Sequence, residues 1–352
     1  MEKLSGKQKL NEGVGVQEIP LCPLCASEGT LLYNNLRDRL FGAPGTWSLM
    51  RCPECGLVWL NPQPFPDDVG GLYKEYYTHN LTENTPKFAT IRRLIRDSVL
   101  SAHLGYADLV KSRSKMILGK LFSRFGPIRE IVKLSVMTLN GRMKGKLLDV
   151  GCGCGTFLKK MKELGWDVVG IEPDAQAVEI CQKHLGLEVI GTTLEEANFP
   201  NDAFDAITMH HVIEHLLNPI GTLKECWRIL KPGGKLVIVT PNVQSLGSRI
   251  FAKAWRGWEV PRHLYLFSPS TIRVCANRAG LQVIKVYTTS RSARWMWTAS
   301  YLIKRNGQLS GGSPQRQGIW LRLEGLIFQM IEYALCKTGR NLGEEIVLIA
   351  TK

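Results

Sequence analysis

No apolar run in this 352-residue chain reaches the roughly 18 residues that a membrane-spanning helix needs. The opening stretch, MEKLSGKQKLNEG, is polar and lacks the apolar core of a signal peptide, so the sequence predicts a cytoplasmic protein. Internal repeats are absent. Acidic residues are in short supply: 45 Lys and Arg stand against 31 Asp and Glu, a formal net charge of +14. The ten cysteines are not expected to pair as disulfides in a reducing compartment.

The positive surplus is concentrated. From Lys87 to Lys146, fourteen basic residues face three acids, Asp97, Asp108 and Glu130. Apolar residues recur there at helical spacing, in IRRLIRDSVL, SAHLGYADLVKSRSKMILGKLFSRF and IREIVKLSVMTL, with a break at Gly126-Pro127. A solvated basic face is the plain reading. The sharper readings are attraction to anionic lipid, to phosphate-bearing substrates or to nucleic acid. Further on, a stretch with Arg291, Arg294, Trp295, Trp297, Tyr301, Lys304 and Arg305 precedes IWLRLEGLIFQMIEYALCK. There Ile319, Leu323, Ile327, Met330, Ile331 and Ala334 share one helical face. This helix either packs on the core or lies at a membrane interface, which leaves peripheral contact with the inner membrane face as an expectation.

Residues 146–174, KLLDVGCGCGTFLKKMKELGWDVVGIEPD, read as strand, glycine turn, helix, strand, acid. Gly151, Gly153 and Gly155 let the backbone approach a ligand at the mouth of a parallel sheet. Glu172 at the tip of the next strand can accept hydrogen bonds from a ribose diol. The third glycine comes one residue too early for the dinucleotide pattern G-x-G-x-x-G, and Thr156 stands where its last glycine belongs.

Downstream lie FPNDAFDAI, HHVIEH and LKPGGKLVIVTPN. With LLDVGCGCG and VVGIEPD they resemble, in order and spacing, the motifs of the class I S-adenosylmethionine-dependent methyltransferases. The resemblance covers about residues 146–290 and a last strand at Glu345–Thr351. It implies an α/β, Rossmann-like sheet with helices on both faces, and S-adenosylmethionine as cofactor. By motif, Asp149 would lie near the methionine end and Gly151, Gly153 and Gly155 would wrap the cofactor. Glu172 would take the ribose hydroxyls. Thr193 and Leu194 fall where the family contacts adenine, with Glu195 as an alternative, and His210 would lie beside the methionine moiety or the methyl.

An oxygen acceptor needs a base to take its proton. The candidates are His211, His215 and His263. HHVIEH resembles the E-x-x-E-H of ubiquinone-pathway O-methyltransferases, with His211 in place of the first Glu and with Glu214 and His215 matching. The loop WEVPRHLYLFS (258–268) resembles one in surface-glycan and secondary-metabolite methyltransferases. It makes His263 the first choice on the acceptor side and Arg262 a candidate for holding a phosphate or carboxylate. Tyr76 and Tyr77 are candidates for closing over the cofactor. The expected acceptor is a sugar, a glycan-lipid intermediate or a quinone-like ring. An RNA methyltransferase is the runner-up, although N/D-P-P-Y and an aromatic-rich RNA-recognition motif are both missing. A cofactor-binding module without turnover is the third reading.

Four cysteines are patterned. Cys22-Pro-Leu-Cys25 and Cys52-Pro-Glu-Cys55 are two C-x-x-C pairs that together complete a tetrahedral, structural zinc site resembling a zinc ribbon. The others are read as small buried hydrophobes, with a reactive thiolate at Cys152 or Cys154 conceivable in the glycine turn. The expected organisation is a polar, unstructured tail (1–17), the ribbon with a proline-rich hinge (18–66), a basic helical segment (67–144) and the methyltransferase domain (145–352) with an insertion at 290–342.

Overall fold

The computed structural model describes residues 9–73, 89–110, 112–309 and 318–352. Tyr76, Tyr77, Lys87 and Lys111 lie outside the described residues.

The chain begins with strands β1 (Lys9–Asn11), β2 (Val14–Gln17), β3 (Thr30–Leu36), β4 (Trp47–Arg51), β5 (Val58–Asn61) and β6 (Gln63–Pro64). Residues 9–17 are therefore not an unstructured tail. β1 and β2 form a hairpin, and β2 pairs with β6. The same pairing removes the expected hinge. Gln63 and Pro64 are buried, and the Gln63 side-chain amide donates to the Leu264 carbonyl at 3.4 Å. Three alternate prolines make the segment stiff, and stiffness here serves packing rather than reach.

Helices α1 (Pro66–Val69), α2 (Ala89–Leu104), α3 (Arg113–Phe122) and α4 (Gly126–Leu134) follow. Proline in the first turn of α4 explains why Gly126-Pro127 starts a helix and ends the preceding run.

The core alternates strand and helix: β7 (Lys146–Val150), α5 (Thr156–Glu163), β8 (Asp167–Ile171), α6 (Ala175–Glu179), β9 (Glu188–Ile190), β10 (Phe204–His210), α7 (Pro219–Ile229), β11 (Leu230–Pro241) and α8 (Leu246–Phe251). It is completed by β12 (Tyr265–Leu266), α9 (Pro269–Arg278), β13 (Gln282–Thr289), α10 (Ala293–Asn306), α11 (Ile319–Lys337) and β14 (Glu345–Thr351). Seven strands form one sheet in the order β13-β14-β11-β10-β7-β8-β9. β7 to β11 run parallel, and β14 inserts antiparallel between β11 and β13.

Successive strand residues point to opposite faces. Leu148 and Val150 join one buried cluster with Leu223, Cys226 and Ile272 of α7 and α9. Leu147 joins another with Leu158 and Met161 of α5 and with Val99, Leu100 and Val132 of α2 and α4. Both faces are thus covered by helices, as parallel strands of near-continuous apolar residues require.

The ribbon is not a separate bead. A second sheet runs β12-β5-β4-β3, so the loop PRHLYLF of the core supplies the edge strand of the ribbon sheet. Trp47, Leu49, Trp59 and Leu60 are buried in the same cluster as Trp255, Trp258, Leu264 and Leu266.

Candidate active site

The parallel strands end at a cleft of ≈ 1770 Å³, lined among others by Gly151, Gly153, Glu172, Thr193, Leu194, Glu195, His210, His211 and His215. A pocket for one small ligand occupies roughly 300–1,000 Å³, so this cleft has room for two.

One end is built by the glycine turn. Gly151, Gly153 and Gly155 all have left-handed backbone, with φ of 68°, 51° and 72°. A Cβ at Gly151 would sit 2.6 Å from a Val212 methyl. Only glycine makes this turn without strain. Glu172, just past β8, is fixed by two backbone donors: Gly153 N to Oε2 at 2.8 Å and Asp174 N to Oε1 at 3.0 Å. A carboxylate can accept more than two hydrogen bonds, so its placement at the end of β8 is compatible with a diol. Thr193 and Leu194 stand on the same wall, while Glu195 accepts from the Thr222 hydroxyl. Turn, carboxylate and wall fit an adenosyl cofactor. Asp149 and Gly155 lie behind this wall. Asp149 is 4 % exposed and accepts from Thr208 Oγ1 at 2.7 Å, because Thr208 is its neighbour in the β10–β7 register. Burial pushes the Asp149 carboxyl up to about 7 against that hydrogen bond.

The histidines separate by their partners. His211 Nδ1 lies 3.1 Å from Glu214 Oε1, and its Nε2 lies 2.9 Å from Glu345 Oε1. Carboxylates only accept, so both ring nitrogens donate and the ring is an imidazolium. Burial opposes that charge, but the bonds to Glu214 and Glu345 outweigh it and raise the ring to about 9. The same pairing overcomes burial at Glu214 and Glu345 and draws both down to about 2. His211 is therefore a clamp and not the expected base. His210 is the reverse case. Arg291 Nη1 lies 3.1 Å from its Nε2, and a guanidinium only donates, so His210 is neutral. Burial first, then the His211 and Arg291 charges, hold it down to about 3.

His263, the first choice for a base, is 2 % exposed and does not line the cleft. Its Nδ1 donates to the Gly257 carbonyl at 2.8 Å, and its Nε2 faces Glu259 Oε2 at 3.5 Å. Burial holds it down to about 4. It stacks edge-on behind His215, with ring centroids 4.7 Å apart. Arg262 does not reach substrate either: its guanidinium is fully buried against Asp38 at 2.8 Å and donates to the Leu72 carbonyl at 3.2 Å. Burying a charge demands such partners.

His215 does line the cleft. Its Nδ1 lies 3.0 Å from the Arg262 carbonyl and 2.9 Å from the Tyr73 hydroxyl. A carbonyl only accepts, so Nδ1 carries a proton, and in the neutral ring the lone pair is on Nε2. Arg291, Glu345 and Tyr73 were invisible as site residues in the sequence. They come from an insertion, an antiparallel last strand and the linker after the ribbon, and no local motif marks them.

In the ribbon, the four cysteine sulfurs all lie within 4.8 Å of one another. Cys22 and Cys55 are 3.6 Å apart, Cys25 and Cys52 3.3 Å. The two knuckles share one pattern: Ala26 N donates to Cys22 O at 2.8 Å and Gly56 N to Cys52 O at 3.1 Å. Ala26 and Gly56 both adopt left-handed backbone, with φ of 61° and 79°. The Ser27 hydroxyl holds the Cys25 thiol down to about 6, whereas burial pushes Cys22 up to about 11. Four convergent sulfurs suit a tetrahedral zinc ion, which would deprotonate all four.

Residues 120–286 match the family described as "Methyltransferase domain". The mitochondrial ubiquinone biosynthesis O-methyltransferase of Rattus norvegicus is 32% identical over 172 residues, which cover 44% of this chain and 50% of that protein. The ubiquinone biosynthesis O-methyltransferase of Cereibacter sphaeroides is 28% identical over 167 residues, covering 44% of this chain and 68% of its own length. The match thus spans half of the rat protein and about two thirds of the bacterial one. A solved SAM-dependent methyltransferase from Archaeoglobus fulgidus aligns with a TM-score of 0.41 at 22% identity, covering 59% of this chain and 86% of that one. The motif order, the sheet order and the family match agree: the chain carries a class I S-adenosylmethionine-dependent methyltransferase domain.

Proposed function

We propose that the protein methylates a hydroxyl oxygen of a small, quinone-like or lipid-linked acceptor, with His215 as the base. When bound, S-adenosylmethionine supplies a methyl group made electrophilic by its sulfonium. In this reading Gly151 and Gly153 give the cofactor close backbone contact, Glu172 accepts from its ribose, and Thr193 and Leu194 flank its adenine. His210 faces the methionine end, held neutral by Arg291. Asp149 acts from behind the turn and, with Gly155, shapes it.

The observation that carries the proposal is the tether of His215. Nδ1–H points at the Arg262 carbonyl, so Nε2 is the nitrogen that takes the acceptor's proton. Around it, Pro66, Val69, Tyr73, Leu216 and Leu217 offer a mainly apolar wall suited to a ring or an acyl chain. The relatives named as ubiquinone O-methyltransferases support an oxygen on a phenolic ring. Cys22, Cys25, Cys52 and Cys55 hold a structural zinc ion away from the chemistry, since four thiolates leave it no open position.

The test incubates the full chain with S-adenosylmethionine and a catechol-type quinol precursor, and follows S-adenosylhomocysteine and a mass gain of one CH₂. Product with the parent, lost in His215→Ala with cofactor affinity intact, supports the assignment. Undiminished product in His215→Ala overturns it.

A further inference from the structure

α11 is mounted with its polar residues inward. Gln329 and Glu332 are buried along with Gly325 and Phe328. Gln329 Nε2 donates to the Ser290 carbonyl at 3.0 Å and lies 3.3 Å from that of Arg291. Phe328 packs on Trp297 with ring centroids 4.7 Å apart. These contacts fix the roll of the helix, and the face they leave to solvent is apolar. Ile319 is 69% exposed, Trp320 75% and Ile327 59%, and Leu323, Met330 and Ile331 are exposed beside them. A water-soluble surface helix shows the opposite arrangement.

A second row continues the patch. On α3 and just beyond it, Ile117, Leu121 and Phe125 recur every four residues and are all exposed. The segments that carry the two rows touch where Gly126, next to Phe125, packs so tightly against the Tyr333 hydroxyl that no Cβ would fit. The border is basic. Lys120 and Arg124 flank the α3 row, while Arg322, Lys337 and Arg340 flank the α11 row, all exposed. Glu324 is the exposed acid of α11.

We propose that this face, α11 with the outer row of α3, seats the protein in the headgroup region of an anionic lipid bilayer. Contiguous apolar patches of this kind mark an interaction site. The border and the chain's net charge of +14 select the occupant. Two copies of the face would bring like charges together, whereas anionic headgroups complement them. Trp320 at the edge suits the interface, where an indole keeps its body apolar and its N–H wet. No helix among the described residues is long and apolar enough to cross a membrane, so the helix lies in the surface. α11 rests on the segment that carries Arg291, and Arg291 reaches His210 in the cleft. The inference does not depend on which acceptor is methylated.

Flotation of the full chain with phosphatidylcholine vesicles, with and without phosphatidylglycerol, tests it. The parent should float with the anionic vesicles and lose binding as salt rises. Trp320→Glu/Ile327→Glu should bind them at least about tenfold more weakly, since two buried apolar side chains are lost. Arg322→Glu/Lys337→Glu should weaken binding and flatten its salt dependence. Both variants should keep cofactor affinity, because the altered side chains point away from the fold. A parent that stays with the soluble fraction, or a Trp320→Glu/Ile327→Glu variant that floats as well as the parent, overturns the proposal. So does a parent dimer that the same variant turns into monomer without vesicle binding, which would assign the face to a second copy.

Discussion

Arg262 and Asp38, 224 residues apart in the chain, form an ion pair of 2.8 Å with both side chains wholly buried. Asp38 belongs to the ribbon, where it also accepts from the amides of Leu40, Phe41 and Ala43. Arg262 belongs to the loop whose carbonyl holds His215. The pair fastens one half of the molecule to the loop that holds His215, a cleft-lining residue, in the other. Asp38→Asn should cost about 3 kcal/mol of stability, the usual result of stripping one partner from a buried pair. Urea unfolding measures it, and a loss no larger than the ~1 kcal/mol of a surface pair would deny the buried pair its role.

Glu172→Ala should weaken S-adenosylmethionine binding by about 1.5–3 kcal/mol, the value of hydrogen bonds to a charged group. Titration calorimetry reads this directly. Affinity equal to the parent's would remove Glu172 from the ribose.

His215→Ala should lower kcat by about 10²- to 10⁴-fold, the range for a general base, with cofactor affinity unchanged. His263→Ala should act differently. His263 is buried behind His215, so its loss should reduce the unfolding midpoint and bring activity down only as far as His215 loses support. If His263→Ala abolished turnover at full stability, the order of the two histidines would have to be reversed.

Cys22→Ser/Cys52→Ser should lower the zinc content from about one ion per chain to none and destabilise the ribbon, because metal binding there is folding energy. Elemental analysis of the parent decides the matter: a metal-free parent ends the zinc assignment.

The His211 clamp makes a pH prediction with a definite sign. His211 is raised from 6.5 to about 9, so its contribution is complete below pH 6.5 and disappears as pH rises through 9. Glu214 and Glu345 are lowered from 4.5 to about 2, so theirs is complete above pH 4.5 and disappears as pH falls through 2. The stability gap between the parent and His211→Gln should therefore be widest between pH 4.5 and 6.5 and shrink on both sides. A gap that keeps widening from pH 7 to 9 would contradict the clamp.

Local chemistry was legible in the sequence and long-range pairing was not. The glycine turn, Glu172 and the last strand at Glu345–Thr351 stand where the motifs put them, because each follows from residues a few positions apart. The two C-x-x-C pairs were legible because spacing alone brings each pair of sulfurs together. What stayed hidden depends on contacts between distant segments. β5 pairs with β12, Asp38 with Arg262, Glu345 with His211 and Arg291 with His210. His263 looked like a base because its loop leads toward the cleft, and only its burial and its bond to the Gly257 carbonyl show that it is sealed inside.

The edge strand Tyr265–Leu266 also decides what a shortened version of this protein would be. Removing the first 66 residues would strip that strand of its only partner within its four-stranded sheet and wet the indoles of Trp255 and Trp258. The segment bearing the Arg262 carbonyl would lose its backing, and His215 its anchor. The α/β half is thus incomplete by itself, because the N-terminal strands back the very loop on which His215 is held.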